Sequence, residues 1–233
     1  MNIVITGASR GIGFEVARKF ASNGKHTIIS IARNTNGLNN LKELCSKTKS
    51  QLVTIAFDLK HTDKYKTELL PLISNQVKQV DILINNAGYL INKPFGKLTI
   101  PEIEDMTTVN FISAATLIQT LLPLMAKGSH VVSISSMGGF QGSQKFPGLS
   151  IYSSTKAALA SLTECLAEEY KENGIAFNCL ALGATNTEMF REAFPGFSAP
   201  LKAEEMANFI VDFALKGNKY FNGKILPVSS TTP

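Results

Sequence analysis

The 233-residue chain has no tryptophan and only four arginines among its 23 basic residues. Its three cysteines, Cys45, Cys165 and Cys179, are scattered, odd in number and outside any C-x-x-C pair. This excludes a disulfide framework or a thiolate metal site and suits reduced thiols in a cytoplasmic protein. His26, His61 and His130 lie equally far apart, so no metal-ligand spacing forms and no metal is expected. No long run of like charge occurs. The excess of 23 basic over 18 acidic residues, +5, is interleaved, which argues against a nucleic-acid-binding face. No apolar stretch approaches the ~18 residues of a membrane span, so no membrane association is expected. The opening Met1-Asn2-Ile3-Val4-Ile5 meets Thr6-Gly7 too early for a signal peptide. What is present is 44% hydrophobic and 18% charged residues, enough to bury a large core. One domain over residues 1–233 is expected.

Apolar, β-branched runs alternate with helical stretches. Strands are predicted at 2–6, 26–32, 51–57, 80–84, 129–135, 175–181 and 224–228. Helices are predicted at 11–23, 37–48, 62–78, 101–127, 152–173 and 202–216. Nearly continuous apolar strands separated by helices predict an α/β fold with a mostly parallel, doubly wound sheet of about seven strands, helices covering both faces. Two irregular stretches, 136–151 and 183–201, follow strand C-termini, where open sheets of this kind bind ligands. The second carries Met189, Phe190, Phe194 and Phe197 and reads as a substrate lid, the alternative being that these side chains pack into the core.

Between the first strand and first helix lies Thr6-Gly7-Ala8-Ser9-Arg10-Gly11-Ile12-Gly13. Glycines there permit a tight turn and close approach of a pyrophosphate to free helix N–H groups. Gly7, Ser9, Arg10, Gly11, Ile12 and Gly13 are therefore candidate nucleotide contacts. The second strand ends at Arg33, with no acidic residue to hold a free ribose 2′-hydroxyl. Arg10 and Arg33 instead suit a 2′-phosphate, so NADP(H) is favoured over NAD(H).

Tyr-x-x-x-Lys occurs three times: Tyr89/Lys93, Tyr152/Lys156 and Tyr220/Lys224. Pro94 disfavours helix at the first, and Asn222-Gly223 interrupts the last. Only Tyr152/Lys156 lies at the start of a long helix, where i,i+4 spacing puts both side chains on one face. An ammonium beside a phenol favours the phenolate and would tune it for proton exchange with an alcohol or carbonyl. A hydroxyl from Ser135-Ser136, at the end of the fifth strand, can reach the same sheet edge.

In order along the chain, Thr6-Gly7-x-x-x-Gly11-x-Gly13, Asp58-Leu59, Asn85-Asn86-Ala87-Gly88, Asn110, Ser136 and Tyr152-x-x-x-Lys156 resemble the short-chain dehydrogenase/reductase family, in its single-domain, Rossmann-like branch. The resemblance implies that Ser136 orients a carbonyl. Tyr152 would be its general acid or base. Lys156 would hold the nicotinamide ribose, and Asn110 would hold a water linking Lys156 to solvent. It further places Asp58 and Leu59 at the adenine, Asn86, Ala87 and Gly88 along the cofactor, and Thr187 at the carboxamide. The chain departs from the family pattern at Leu182-Gly183, in a longer stretch between Ser136 and Tyr152, and at its end, Pro227-Val228-Ser229-Ser230. The function so implied is NADP(H)-dependent interconversion of a small carbonyl compound and its alcohol. The alternative is a non-catalytic NADP-binding regulator. Long helices carrying Ala114, Ala115, Ala157, Ala158 and Ala160 imply, by the same resemblance, a homodimer or homotetramer.

Overall fold

The computed structural model describes residues 1–229; Ser230, the last residue of the altered chain end, lies outside the described residues. Seven parallel strands form the main sheet: β1 (Asn2–Thr6), β2 (Thr27–Ala32), β3 (Gln51–Ala56), β4 (Ile82–Asn85), β5 (His130–Ser136), β6 (Ala176–Leu182) and, numbered last for its place in the chain, β9 (Lys224–Val228). Their spatial order is β3-β2-β1-β4-β5-β6-β9. The order reverses between β1 and β4, and the two are paired through Ile3 with Ile82 and Ile5 with Ile84. The doubly wound sheet expected from the sequence is present.

The central strands are buried on both sides because helices cover both faces. Alternation along β1 sends Ile3 and Ile5 to one side and Val4 to the other. Ile3 and Ile5 meet Phe20 of α1 (Gly11–Ser22), Leu41 of α2 (Thr35–Cys45) and Ile210 of α8 (Ala203–Lys216). Val4 belongs to the buried cluster on the opposite face, which also takes in Ile73 of α3 (Leu70–Ser74), Leu117 of α5 (Ser113–Leu121) and Ala167 of α6 (Ser150–Glu169). Each fully buried large apolar side chain contributes roughly 1.5–3 kcal/mol.

The helical stretches differ from the expected spans in informative ways. The stretch 62–78 breaks into a 3₁₀ turn, a wide π turn at Tyr65–Leu69, and the short α3, which carries Pro71 in its first turn. The stretch 101–127 runs as α4 (Ile100–Thr107), a π turn at Thr108–Ile112, and α5. Thr99 and Glu102 form a reciprocal capping box at its start. The whole run, Ile100–Leu124, is long and apolar enough by length and composition alone to cross a membrane, which corrects only the reading that no apolar stretch approaches that length. Leu117, Ile118 and Leu121 insert this run into the core beneath the sheet. Within 183–201 a short helix, α7 (Glu188–Ala193), is held between two-residue strands, β7 (Thr185–Asn186) and β8 (Leu201–Lys202), which pair in parallel.

Candidate active site

The C-terminal ends of the strands open into a cavity of about 790 Å³. Gly7, Ser9, Arg10, Gly11, Ile12, Arg33, Asp58 and Leu59 line one end of it. Asn86, Ala87, Gly88, Ser136, Tyr152, Lys156 and Thr187 line the remainder. Of the candidate site residues, only Gly13 and Asn110 stand behind its wall.

The glycine turn has the backbone its spacing requires. Gly7 and Gly11 adopt φ of +70° and +58°, the left-handed region that side chains disfavour. Gly13 is required for close approach: a β-carbon there would lie 2.3 Å from Asn86 Nδ2 and 2.4 Å from the Gly7 carbonyl oxygen. Asn86 is the strut behind the turn. Its Nδ2 donates to the carbonyls of Thr6 at 2.9 Å and Gly7 at 3.3 Å. The backbone N–H groups of Asn86 and Ala87 both donate to Thr6 Oγ1 at 3.0 Å. Asn85, one residue earlier, faces the other side of the sheet, and its buried amide has no hydrogen-bond partner among the described residues. The left-handed glycines, the cleared space at Gly13 and the helix N-terminus form a cradle that fits a dinucleotide pyrophosphate.

The two arginines are held by acids. Arg33 Nη1 is 3.9 Å from Asp58 Oδ2, and Asp58 Oδ1 also accepts the Lys60 N–H at 3.0 Å. Arg10 grips Glu192 of α7 with both terminal nitrogens, Nη2 to Oε2 at 3.1 Å. This pair lies 182 residues apart in sequence, and no local pattern signals it. Thr187 and Glu188 approach Gly11, lying 3.4 and 3.5 Å from where its β-carbon would stand. Thr187 Oγ1 accepts the Phe190 N–H at 3.2 Å and so starts α7.

At the other end, β5 and α6 bring Ser136, Tyr152 and Lys156 together. The two serines of β5 face opposite ways. Ser135 Oγ is buried and donates to the Lys156 carbonyl at 2.8 Å. Both serines are among the residues that line the cavity; Ser136 Oγ accepts the Gly138 N–H at 3.2 Å and stands on the side of the Tyr152 phenol, whose pKa it pulls down. Strand alternation thus leaves Ser136, not Ser135, available to a ligand. Lys156 is buried. Its Nζ donates to the Ile134 carbonyl at 2.8 Å and lies 5.9 Å from the centre of the Tyr152 ring. The other two Tyr-x-x-x-Lys pairs are elsewhere: Lys93 bonds Glu102 at 2.9 Å, and Tyr220 is 79% exposed.

Asn110 sits in the π turn of the long helical run. Its Oδ1 accepts the Tyr89 N–H at 2.7 Å, and its Nδ2 donates to the Tyr89 carbonyl at 2.9 Å and to Thr155 Oγ1 at 3.0 Å. It therefore ties the strand exit at 88–89 to the helix that carries Tyr152 and Lys156. A wide turn inside a helix commonly marks such a site.

The longer stretch before Tyr152 has a seat that the sequence did not reveal. Lys145 Nζ donates to the carbonyls of Gly138 at 2.9 Å and Phe140 at 2.6 Å, and to Ser143 Oγ at 3.0 Å. Ser143 Oγ donates onward to the Met137 carbonyl. These bonds fix the turn that also holds Ser136. Phe146 and Leu149 from this stretch line the cavity, as do Phe190, Phe194 and Phe197 opposite.

Electrostatics here differ from the simple expectation of a phenol lowered by its lysine. Burial pushes the Tyr152 phenol up to about 12, against the pull of the Ser136 hydrogen bond. Burial pushes the Lys156 ammonium down to about 8. The ammonium faces the ring and the Ile134 carbonyl, so desolvation outweighs attraction between the two groups. At neutral pH the pair is a protonated phenol beside a largely protonated amine.

These features define a nucleotide-dependent oxidoreductase of the doubly wound class. The family model for short chain dehydrogenases matches residues 1–196, and the chain belongs to that family. It is 29% identical over 241 residues to the 3-oxoacyl-(acyl-carrier-protein) reductase FabG of Aquifex aeolicus, covering 97% of this chain and 94% of the relative. A short chain dehydrogenase from Escherichia coli CFT073, solved with NADPH, superposes with a TM-score of 0.85 at 26% identity, covering 97% of this chain and 95% of that one. One from Mycobacterium paratuberculosis, bound to NAD, gives 0.84 at 21% identity over the same shares.

The buried lysine sets a pH dependence. Burying the ammonium costs most below pH 8 and nothing above pH 10.5, its ordinary value, so its burden on the fold is relieved as pH rises between them. Unfolding free energy of the protein, taken relative to a Lys156→Met variant, should therefore rise by about 2 kcal/mol from pH 8 to pH 10. Denaturant titrations at the two pH values check this; a flat difference would mean that Lys156 is not desolvated.

Proposed function

We propose that the protein is an NADP(H)-dependent reductase of a small carbonyl compound, able also to run the reverse alcohol oxidation. The observation that carries this is the convergence of Ser136, Tyr152 and Lys156 on one cavity wall, continuous with the glycine cradle. Gly7, Gly11 and Ile12 would hold the pyrophosphate, with Arg10 and Arg33 at the 2′-phosphate and Asp58 and Leu59 at the adenine. Asn86, Ala87, Gly88 and Thr187 would flank the nicotinamide half. The bound cofactor supplies the hydride that the carbonyl carbon accepts. Ser136 Oγ orients the carbonyl oxygen by donating to it. The protonated Tyr152 phenol delivers its proton to that oxygen as negative charge develops. The Lys156 ammonium stabilises the phenolate left behind. Asn110 acts as a positioning residue through Tyr89 and Thr155.

Tyr152→Phe should keep NADPH binding and lower kcat by roughly 10²–10⁴-fold, while Tyr89→Phe and Tyr220→Phe should retain activity. NADPH consumption over a carbonyl panel, with NADPH binding measured alongside, is the test. Tight NADPH binding without turnover of any carbonyl would instead favour the regulatory reading.

Cofactor preference is proposed to rest on both arginines, against one internal competitor. The Arg10–Glu192 pair ties the cradle to the 183–201 segment, which we read as a lid, and it occupies the guanidinium that a 2′-phosphate would use. It is solvent-exposed, so releasing it is worth about 0.2–1 kcal/mol. Glu192→Gln should tighten NADPH up to about fivefold, leave NADH unchanged and speed amide exchange across 183–201. Arg33→Asp should weaken NADPH at least about tenfold. Equal affinity of the unaltered protein for NADPH and NADH would overturn the preference.

A homo-oligomer in the cytoplasm completes the reading. Cys45 and Cys179 are buried free thiols and Cys165 is an exposed one. Ala114 and Ala160, expected at an interface, are buried within the chain's own core, whereas Ile100 and Ile112 are exposed on the long helical run. A second apolar surface carries the exposed Phe209, Phe221 and Tyr220, with Phe209 and Phe221 packed on the buried Phe213 of α8. Two such faces support a dimer or tetramer. Light scattering should give a mass at least twice 25.2 kDa; a monomer at micromolar concentration would exclude it.

A further inference from the structure

Charge is segregated along the cavity. Arg10, Arg33, Asp58 and Glu188, four of its five charged lining residues, belong to the cradle end, joined by the contacts described above. Beyond Ser136 and Tyr152 the walls are mainly apolar, with Leu90, Phe146, Leu149, Met189, Phe194 and Phe197, and the lining polar groups from the 183–201 segment, Thr185 and Ser198, are uncharged. Lys156, the only cation lining this end among the described residues, is directed at the Ile134 carbonyl.

Two further cations lie close in sequence to these walls, and both are engaged elsewhere. Lys145, next to Phe146, is bound by Gly138, Phe140 and Ser143. Arg191, next to Phe190, donates to Asn186 Oδ1 at 2.7 Å and borders a separate small cavity with Glu188. Arg191 is thus not among the residues that line the main cavity. Meanwhile Phe146 is 44% exposed and Phe197 is 71% exposed, leaving aromatic surface for a ligand to cover. A carboxylate or phosphate here would lose its hydration without a counter-charge, whereas a hydrocarbon group would gain from burial.

Resting on the proposed carbonyl reduction, we propose that the substrate is an uncharged carbonyl compound whose hydrocarbon chain or ring lies between the 136–151 stretch and the 183–201 segment. Recognition is chiefly apolar on both sides, with no counter-charge on either wall and with the reacting oxygen held at Ser136 and Tyr152.

The test is binding, so that it does not depend on turnover. Ethyl 3-oxohexanoate and the 3-oxohexanoate anion share a ketone and differ in charge. Their dissociation constants are measured by calorimetry on Tyr152→Phe protein saturated with NADP⁺. The ester should bind at least about tenfold more tightly than the anion. Phe146→Arg, at an exposed position that should tolerate it, should narrow that ratio at least about threefold by supplying the missing cation. Equal or tighter binding of the anion, no binding of the ester, or a ratio unchanged by Phe146→Arg would overturn the inference. Turnover of the ester by the unaltered protein reports separately on the reaction. Selective ester binding without turnover would remove the proposed reaction and support the apolar site.

Discussion

The join between β1 and β4 is the constraint on which the site depends. At this point the strand order reverses, and the chain leaves the two strands in opposite directions. A gap opens between the departing segments, and ligand groups can enter it only if the backbone beneath is held in place. Thr6 and Asn86 do this. One threonine oxygen takes two N–H groups from the β4 exit, and one asparagine amide takes two carbonyls from the β1 exit. The glycine at position 13 lets helix α1 come close enough for that amide to fit. Without it the helix N-terminus would stand farther from the sheet, and the cradle would lose its positive end.

A second constraint is the burial of the Lys156 ammonium. Its supports come from two elements, β5 and the π turn of the long helical run. Ile134 on β5 accepts from Nζ, Ser135 holds the backbone of its turn of α6, and Asn110 fixes the neighbouring Thr155. The π turn in the long helical run presents Asn110 to both the β4 exit and α6. Regular α geometry would rotate the following residues by a different amount. The same burial that lowers the lysine raises the tyrosine. The upward shift keeps the phenol protonated, while the downward shift of the lysine weakens its charge but stops above neutral pH.

Much of this was legible in the sequence, for reasons that are local. The glycine spacing specifies a left-handed turn before a helix, and Tyr152 with Lys156 shares a helix face by periodicity alone. Alternating apolar runs specify a parallel sheet covered on both sides. The choice of Ser136 over Ser135 needs the facing of β5, which depends on what covers each side of the sheet. The Arg10–Glu192 pair, the seat of Lys145 and the direction of Arg191 depend on contacts made after the chain has folded. The β7–β8 pair has only two residues per strand, too few for a period to register. The wide turns at 65–69 and 108–112 preserve the apolar spacing of a helix closely enough to be read as one.

The sheet topology also explains why one cavity has two chemical characters. Strands β1, β2 and β3 lie on one side of the reversal, and their exits carry Arg10, Arg33 and Asp58. Strands β5 and β6 lie on the other, and their exits carry Ser136, the aromatic stretch around Phe146, and the 183–201 segment. A charged dinucleotide and a hydrocarbon group favour opposite surroundings, since one needs counter-charge and the other needs its absence. Placing their walls on different halves of the sheet lets each be built without compromising the other. The two kinds of wall meet at Tyr152 and Lys156. In the reaction we propose, a proton from Tyr152 and a hydride would reach the same carbonyl group at this meeting point.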